Sequence, residues 1–526
     1  MDEVVHLPAG YTYLLKRDFR LNPEHPPLLK ILCALPLLVL RPAVDFNDIH
    51  WTSASSSADH YQFGSKFLFS NDADRLLFWG RLPILLLAIL LGLFVFLWAQ
   101  RLYGNTAGLF ALGLFAFSPN IIAHSHLVTS DVGVSAFLTI CFYFLWRYRR
   151  TQKQLHLCWS SLAMGAALAS KFSAIVLFPV ALFVLWVIQK TDSPIESQAS
   201  TPRSWQKKKK PYGYSAREDD SLYQKGDFWR SLVRVDKQKV LETVVFAGIA
   251  FAAVQLSYIG SLDLTVFFKG MAQVNQNHDP SFPYYFNGNM QPGGSWYYIP
   301  ASFLLKATTA FIVLLFARIV VFLERGGREW QTAAFLLLPA AVYSAAIVVF
   351  ADPLGVRYLL PALPFLMVLS AGLVRFSARK RAASWAVWGL LLWHIASSAA
   401  AFPHHLSYFN ELAGGPSRGW EWLGDSNVDW DQELKTLKQI MDRRGIHTVT
   451  LASASPYDDP SYYGINCSRP TNEEWIRILS LPAPPPGVYA ISANFRGRMK
   501  AIGRDWAKKY PIIANLGNSM FLFQVP

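Results

Sequence analysis

The residues of this chain that could do chemistry are ionisable side chains next to long apolar runs. Carboxylates occur as the adjacent pair Asp2 and Glu3 and as Asp131 in AHSHLVTSDVG. Cations occur as Lys171 in ALASKFSA and Arg357 in DPLGVRYLLP. A carboxylate can orient and deprotonate an attacking group, and cations can offset a developing negative charge. The set predicts a reacting site with an acidic side and a basic side.

Further polar residues accompany this set, and we take them as candidates for a substrate cavity. They are Glu24 and His25 in RLNPEHPPLLK, His124 and His126 in AHSHLVTSDVG, and Tyr358 after Arg357. The two histidines in alternate positions of a loop, without a third ligand, are more typical of a polar loop edge than of a metal pair.

Each charged residue also has a structural explanation, which the sequence leaves open. Asp2 and Glu3 could belong to a frayed terminus. Lys171 and Arg357 could extend to lipid headgroups. Asp131 follows Thr129 and Ser130 and could cap the next helix.

The composition indicates a polytopic membrane protein. Of 526 residues, 52% are hydrophobic and only 16% are charged. The net charge of +14 lies mainly in loops between apolar runs, which is typical of the cytoplasmic side of a membrane and does not indicate nucleic-acid binding.

About 20 apolar residues cross a bilayer, so the long apolar runs predict membrane spans. The run 157–189 is long enough for two crossings broken at Lys171, which gives ten spans. The shorter run 28–40 contains Pro36 and is interpreted as an interfacial or re-entrant helix. The runs are 76–99, 107–123, 132–147, 157–189, 240–258, 297–323, 332–351, 357–376 and 384–402.

Basic residues at alternate loops set the orientation, because Lys and Arg near span ends stay in the cytoplasm. The basic set is Arg101, Arg147, Arg149, Arg150, Lys153, the KKKK of 207–210, Arg325, Arg328, Arg379, Lys380 and Arg381. With this orientation, the candidate site residues all lie on the extracytoplasmic face. Chance anchoring would scatter them over both faces of the membrane.

Three regions follow. Residues 1–75 form a first extracytoplasmic loop with an interfacial helix, 76–403 a transmembrane domain, and 404–526 a small extracytoplasmic α/β domain with a helix near 430–444 and strands in HTVTLAS, GVYAISA and MFLFQV. The polar segment 190–238 is predicted to be a disordered, basic cytoplasmic insert, and 259–296 an extracytoplasmic loop.

No metal site is predicted. The pairs Asp72/Asp74 and Asp429/Asp431 have the D-x-D spacing that holds metal-bound diphosphates in nucleotide-sugar enzymes, but they lie on the outer face, where nucleotide sugars are scarce. The four cysteines form no C-x-x-C pair. The aromatic stretch FPYYFNGNMQPGGSWYYIP at 282–300 fits an interfacial belt, with a sugar platform as the alternative.

Six stretches in order resemble a known family: DEVVHLPAGY, RLNPEHPPLLK, HLVTSDVG, ASKFSAIVLFP, GVRYLLP and FNELAGGPSRGWEWLGDSNVDWDQELKTL. They are similar to bacterial lipid-carrier-dependent glycosyltransferases of the GT-C superfamily, which are relatives of the protein O-mannosyltransferases and the lipid A aminoarabinose transferase. The resemblance covers most of the chain outside 190–238.

The resemblance implies roles for individual residues. Asp2 matches the expected base in the first outer loop, Glu3 is its neighbour and Asp131 matches the second acid. Lys171 and Arg357 match basic positions near the donor phosphate. The resemblance aligns His25 with the position of a phosphate-binding Lys in relatives.

The resemblance also implies a function: transfer of a sugar from a polyprenyl-phosphate donor to a hydroxyl of a protein, lipid or glycan, with inversion, at the outer face of a bacterial inner membrane. Neither the sugar, the acceptor, the oligomeric state nor a metal requirement follows from it. Family members have a span before the Asp-Glu loop, so we expect the natural polypeptide to start upstream. The alternatives are a transporter or lipid flippase and a non-catalytic scaffold of the same fold.

Overall fold

The computed structural model of the chain describes residues 2–54, 56–187, 237–259, 263, 265–277, 279, 281–293, 295–324, 330–378, 380–453 and 455–526. The predicted insert 190–238 therefore lies outside the described residues except for Lys237 and Gln238, which begin a helix. The predicted cytoplasmic residues Arg325, Arg328 and Arg379 also lie outside them.

Among the described residues up to 400, most are helical, and helices cover much of each predicted apolar run. Four further helices of this described part lie outside those runs: Glu3–Lys16, Ile49–Ser53, Ser57–Phe69 and Thr265–Asn277. The α-helices of this part are Glu3–Lys16, Leu28–Ala34, Leu37–Leu40, Ile49–Ser53, Ser57–Phe69, Ala73–Tyr103, Asn105–Ala116, Pro119–Ser125, Asp131–Thr151, Gln154–Leu168, Leu177–Val187, Lys237–Ser257, Thr265–Asn277, Tyr298–Lys306, Thr309–Glu324, Trp330–Phe350, Leu363–Ser370, Gly372–Ser377 and Arg381–Ala400.

Among the described residues, three helices are long and apolar enough to cross a membrane: Ala73–Tyr103, Lys237–Ser257 and Ala333–Phe350. The number rises to five if two bent pairs each count as one span. One pair bends by 63° between Ala116 and Pro119, and the other by 112° between Lys306 and Thr309. The expectation of ten spans stays a prediction.

The break predicted at Lys171 is confirmed. The helix Gln154–Leu168 ends before it, Lys171 itself is extended, and a 3-10 turn Phe172–Val176 leads into the helix Leu177–Val187. The run 28–40 is also interrupted, because its second helix begins only after Pro36, which has no N–H to continue the first.

The N-terminal helix Glu3–Lys16 is packed against the body of the protein and not frayed. Two glycines make this packing close: a Cβ on Gly10 would lie 1.9 Å from Lys30 O, and a Cβ on Gly64 would lie 1.9 Å from Val4 O. Glu3 and His6 on this helix are buried. The alternative that Asp2 and Glu3 are an idle tail is therefore wrong.

The last part of the chain forms the α/β unit that the sequence predicts. Its five-stranded sheet has the order β4-β3-β5-β7-β6, with β3 parallel to β4 and β5, and β7 antiparallel to β5 and β6. The strands are β3 Val449–Ala452, β4 Cys467–Ser468, β5 Gly487–Ser492, β6 Ile512–Leu516 and β7 Met520–Val525, with the helices Leu434–Arg444, Asn472–Ser480 and Ala493–Ala501.

A separate hairpin of β1 Tyr284–Phe286 and β2 Asn289–Gln291 forms within the aromatic stretch 282–300. Its end contacts the C-terminal part, because Phe286 pairs as an isolated bridge with Leu423. The hairpin thus joins the segment 259–296 to the C-terminal unit.

Buried polar groups tie the C-terminal unit to the helical part. Asn427 accepts a hydrogen bond from Val356 N at 3.0 Å through Oδ1 and donates to Tyr298 OH at 3.0 Å through Nδ2. Lys306 Nζ donates to Leu406 O at 2.6 Å and to Asn427 O at 2.5 Å. Because Val356 directly precedes Arg357, this junction fixes the backbone at a predicted site residue.

Candidate functional site

Asp2 and Arg357, which are 355 residues apart, form one ion pair. Arg357 Nη1 donates to Asp2 Oδ2 at 2.7 Å, and both side chains are largely buried. Arg357 lies in the 3-10 turn Val356–Leu359. Its guanidinium carbon is 5.4 Å from the ring centre of Tyr358 and 4.8 Å from that of Trp430.

A second ion pair joins the other two predicted residues. Lys171 Nζ donates to Asp131 Oδ1 at 2.5 Å, and the same Nζ lies 4.6 Å from the ring centre of Tyr358. Tyr358 therefore contacts both cations. Asp131 is the first residue of the helix Asp131–Thr151, whose N-cap position is occupied by Ser130, so Asp131 is not the N-cap residue, and its carboxylate is paired with Lys171.

The charge of Asp2 depends on its surroundings. Burial raises the pKa of its carboxyl group, but nearby positive charge, to which Arg357 contributes most, outweighs burial and holds the pKa well below its ordinary value. Asp2 is consequently ionised, in the state that can accept a proton. Because Arg357 stabilises the ionised carboxylate, Asp2 is a weak base while the ion pair is intact.

Glu3 has a different task, because it holds the N-terminal helix in place. Arg81 donates two hydrogen bonds to its carboxylate, at 2.8 and 2.6 Å, and Val128 N donates a third at 2.9 Å. Burial raises the pKa of Glu3, and Arg81 together with the Val128 hydrogen bond brings it below its ordinary value. With these contacts the residue beside Asp2 is rigidly positioned.

His25 lies beside this cluster and not between the ion pairs. Its ring meets that of His6 edge to face at 5.0 Å, and both line a void of about 10 Å³ with Lys30. Burial, His6 and Lys171 hold the pKa of His25 well below its ordinary value. A neutral imidazole can donate a hydrogen bond to a phosphate but cannot offset its charge.

The other cavity candidates are spread over several places. Glu24 accepts a hydrogen bond from Ser57 Oγ at 2.7 Å. His124 meets Trp430 edge to face at 5.6 Å. His126 donates through Nδ1 to Ile122 O at 2.9 Å and lines a large cavity.

That cavity, of about 770 Å³, has Glu3, Arg81 and Trp430 in its wall. It lies near the Asp2–Arg357 pair, because Glu3 follows Asp2 and Trp430 contacts Arg357, but the four ion-paired residues do not line it. One side is apolar and comes from the helix Ala73–Tyr103. The other side is polar and comes from the C-terminal unit. The apolar side consists of Leu77, Phe78, Leu82 and Leu85, and the polar side includes His404, Glu433, Lys435 and Asp458.

One member of each D-x-D pair, Asp74 and Asp431, lines this same cavity, and the acids have separate partners. Asp72 caps the helix Ala73–Tyr103 by accepting from Arg75 N at 3.0 Å, and Asp74 pairs with Lys435 at 2.6 Å. Asp429 accepts from Asp431 N at 2.8 Å. Across the described ranges, no group of three or more His, Cys, Asp or Glu side chains is placed to hold a metal ion.

The sequence analysis missed two residues of the site, Arg81 and Trp430. Arg81 had a usable signal, because an isolated cation within the apolar run 76–99 is costly unless it has a partner. Trp430 had none, since tryptophan next to a membrane is commonly an anchor. Its importance comes only from the three-dimensional contacts with Arg357 and His124.

Comparison with known proteins supports the resemblance for part of the chain. Residues 73–199 match the family model described as dolichyl-phosphate-mannose-protein mannosyltransferase, and the resemblance drawn from the sequence is confirmed there. This segment contains Arg81, Asp131 and Lys171 but neither Asp2 nor Arg357. No curated protein sequence matches the chain.

The chain matches three solved structures to which it is 11 to 12% identical in sequence. ArnT from Cupriavidus metallidurans in the apo state matches over 99% of this chain and 92% of its own, with a TM-score of 0.44. The same protein bound to undecaprenyl phosphate matches over 99% and 93%, with a TM-score of 0.40. The oligosaccharyltransferase of Archaeoglobus fulgidus in the apo form matches over 88% and 59%, with a TM-score of 0.39.

Proposed function

We propose that this protein is a membrane glycosyltransferase that moves a sugar from a polyprenyl-phosphate carrier to an acceptor hydroxyl on the extracytoplasmic face. The observation that carries the proposal is the pairing of Asp2 with Arg357 and of Asp131 with Lys171, with both cations next to the ring of Tyr358. Two acids and two cations next to an open cavity suit the transfer of a group away from a phosphate. The family match of residues 73–199 supports the same reaction class.

The large cavity suits the donor. Its volume of about 770 Å³ lies within the range of roughly 300–1,000 Å³ typical of ligand sites. The apolar wall of the helix Ala73–Tyr103 would take the first isoprene units of the carrier, because this helix is apolar enough to lie in the membrane. The phosphate would then point past Trp430 toward Arg357.

The reaction would be a direct displacement. The acceptor hydroxyl oxygen bonds to the anomeric carbon while the bond from that carbon to the phosphate oxygen breaks, and the electron pair leaves with the phosphate. Asp2 takes the hydroxyl proton, and Arg357 and Lys171 offset the charge on the leaving phosphate. Attack opposite the leaving group inverts the anomeric carbon.

The ion pairs would couple donor binding to the strength of the base. In the empty site each cation is already paired with a carboxylate. A phosphate that binds Arg357 competes with Asp2 for the guanidinium, which weakens the effect that keeps the pKa of Asp2 low. Asp2 would thus become a better base only when a donor is present.

The test is incubation of the purified full-length protein with polyprenyl-phosphate sugars that carry a labelled sugar, together with a cell-envelope fraction as acceptor. We expect the label to leave the carrier and appear in a glycosylated product that mass spectrometry can identify. Arg357→Ala should lower both donor affinity and turnover at least about tenfold, as expected for loss of a charged hydrogen bond. The exposed Arg443 provides the matched control, and Arg443→Ala should change neither.

Two results would contradict the proposal. If the carrier crosses the membrane of a liposome with its sugar still attached and no product forms, the protein is a transporter. If Arg357→Ala keeps the donor affinity and rate of the parent protein, the guanidinium is only a structural anchor.

A further inference from the structure

A second cavity lies on the far side of Trp430, and nothing in the proposed reaction uses it. It has a volume of about 250 Å³ and is enclosed by the hairpin β1–β2, the loop before Arg357, the turn 424–430 and the helix Ala493–Ala501. This volume is just below the range of drug-sized sites and suits a single ring better than a lipid chain. Its wall combines aromatic rings with carboxyl, amide and guanidinium groups, including Tyr284, Tyr285, Trp430, Asp429, Asn494 and Arg498.

Two buried acceptor atoms on this wall have no partner in the part of the chain that the structure describes. Asp429 is only 2% exposed; its Oδ1 accepts from Asp431 N at 2.8 Å, but its Oδ2 accepts nothing. Asn494 donates through Nδ2 to Asp429 O at 3.3 Å, while its Oδ1 is buried without a donor. An unsatisfied buried polar atom costs about 1–3 kcal/mol, so both atoms favour a ligand that supplies hydrogen-bonding groups.

The protonation state of Asp429 indicates which chemical group of a ligand it would bind. Burial and the neighbouring Asp431 hold the pKa of Asp429 well above its ordinary value. A neutral carboxyl group both donates and accepts, which matches a hydroxyl group. An ammonium group would instead need the ionised form.

The aromatic part of the wall is rigid. Tyr285 OH donates to Glu421 O at 3.2 Å, and the rings of Tyr284 and Tyr298 meet edge to face at 5.1 Å. Trp430 is held from its other side by Arg357, at 4.8 Å from guanidinium carbon to ring centre. Fixed aromatic faces next to hydroxyl-binding groups suit a pyranose, whose C–H faces are apolar and whose edge carries the hydroxyls.

From these contacts we propose that the small cavity binds one hydroxyl-rich sugar ring, with Asn494 Oδ1 accepting from one of its hydroxyls and the Asp429 carboxyl group hydrogen-bonding to another. The ring would lie close to the Asp2–Arg357 pair, because the indole of Trp430 lines both cavities and contacts the Arg357 guanidinium. If the proposed function holds, this position makes a glycan the acceptor class of the enzyme, and that second statement rests on the proposed function.

Saturation-transfer NMR of the full-length protein in detergent tests the binding without a donor. The probes are the methyl glycosides of mannose, glucose and N-acetylglucosamine at millimolar concentration. We expect at least one to receive saturation from the protein. Asn494→Leu removes the unpaired acceptor and should weaken this binding about tenfold or more, while Asn494→Asp, which keeps an acceptor oxygen, should retain much of it.

The exposed Asn466 supplies the matched control, because its side chain bonds only outside the cavity, to Thr448 Oγ1 at 3.1 Å. Asn466→Leu should leave the NMR signal unchanged. Asp429→Leu serves as a second cavity variant, and its unfolding temperature shows whether the turn survives.

The outcomes separate the two proposals. Sugar binding that depends on Asn494, without transfer from any polyprenyl-phosphate donor, would keep the sugar site and reject the transferase. Transfer to a peptide hydroxyl, with no glycoside bound at millimolar concentration, would keep the transferase and reject the sugar site. Equal binding of the glycosides by the parent, Asn494→Leu and Asp429→Leu proteins would also reject the sugar site.

Discussion

At the scale of single residues, the Asp2–Arg357 pair decides the protonation of the expected base. Because the pKa of Asp2 in the folded protein lies below its unfolded value of about 3.9, the pair stabilises the fold above about pH 4. This contribution is lost as the pH falls further toward the folded pKa.

Arg357→Gln removes the cation but leaves Asp2 buried, so the pKa of Asp2 should rise above its ordinary range. The acidic limb of kcat/KM against pH should therefore move to higher pH, and an unmoved limb would show that another group titrates there.

A second prediction at the scale of single residues tests the role of Asp2 independently of that of Arg357. Asp2→Asn keeps the shape of the side chain but cannot take up the acceptor proton, so turnover should fall by two orders of magnitude or more while donor affinity stays within a few-fold of the parent. The measurements are single-turnover rates and equilibrium binding of a labelled donor. Asp442→Asn, at an exposed surface pair with Lys438, is the matched control. Near-normal turnover by Asp2→Asn would move the base to Glu3 or Asp131.

At the scale of elements, the helix Glu3–Lys16 carries Asp2 to the site, and its position depends on close contact with the helix Ser57–Phe69. A Cβ on Gly64 would lie 1.9 Å from Val4 O, so Gly64→Ala must push the two helices apart next to Asp2. We expect this substitution to lower activity at least tenfold and to lower the unfolding temperature, although Gly64 lines neither cavity. Gly248→Ala is the matched control within the helix Lys237–Ser257, because a Cβ there meets nothing within 4 Å. Equal activity of the two variants would show that the position of the N-terminal helix is not critical.

At the scale of the whole molecule, the basic loops predict that the N-terminal loop and the C-terminal unit share the outer side of the membrane. Ser426 is unsuitable as a probe for this, because it is only 2% exposed. The exposed residues Ser53, Ser480 and Thr106 serve better, in a variant whose four cysteines are replaced. Cysteines at Ser53 and Ser480 should react with an impermeant reagent from one side of sealed vesicles, and a cysteine at Thr106 only from the other. Labelling of Ser53 and Ser480 from opposite sides would overturn the topology.

Local patterns in the sequence were sufficient for the elements of the fold. Apolar runs placed the helices, the break at Lys171 was visible as a cation between two short runs, and alternation placed β3, β5 and β7. These features depend on neighbours within one or two turns, which is the distance over which helical and strand periodicity act. The clustering of Asp2, Asp131, Lys171 and Arg357 was also predicted, because loops on one side of a membrane must meet at one face.

Which acid meets which cation was decided only by the tertiary structure. Asp2 pairs with Arg357 across 355 positions. Glu3 pairs instead with Arg81, which the sequence analysis treated only as part of a predicted span. The place of Trp430 between two cavities likewise depends on how the C-terminal unit rests on the turn at Arg357. Such pairings follow from helix contacts and buried hydrogen bonds between segments far apart in the chain, and no periodicity within a segment contains them.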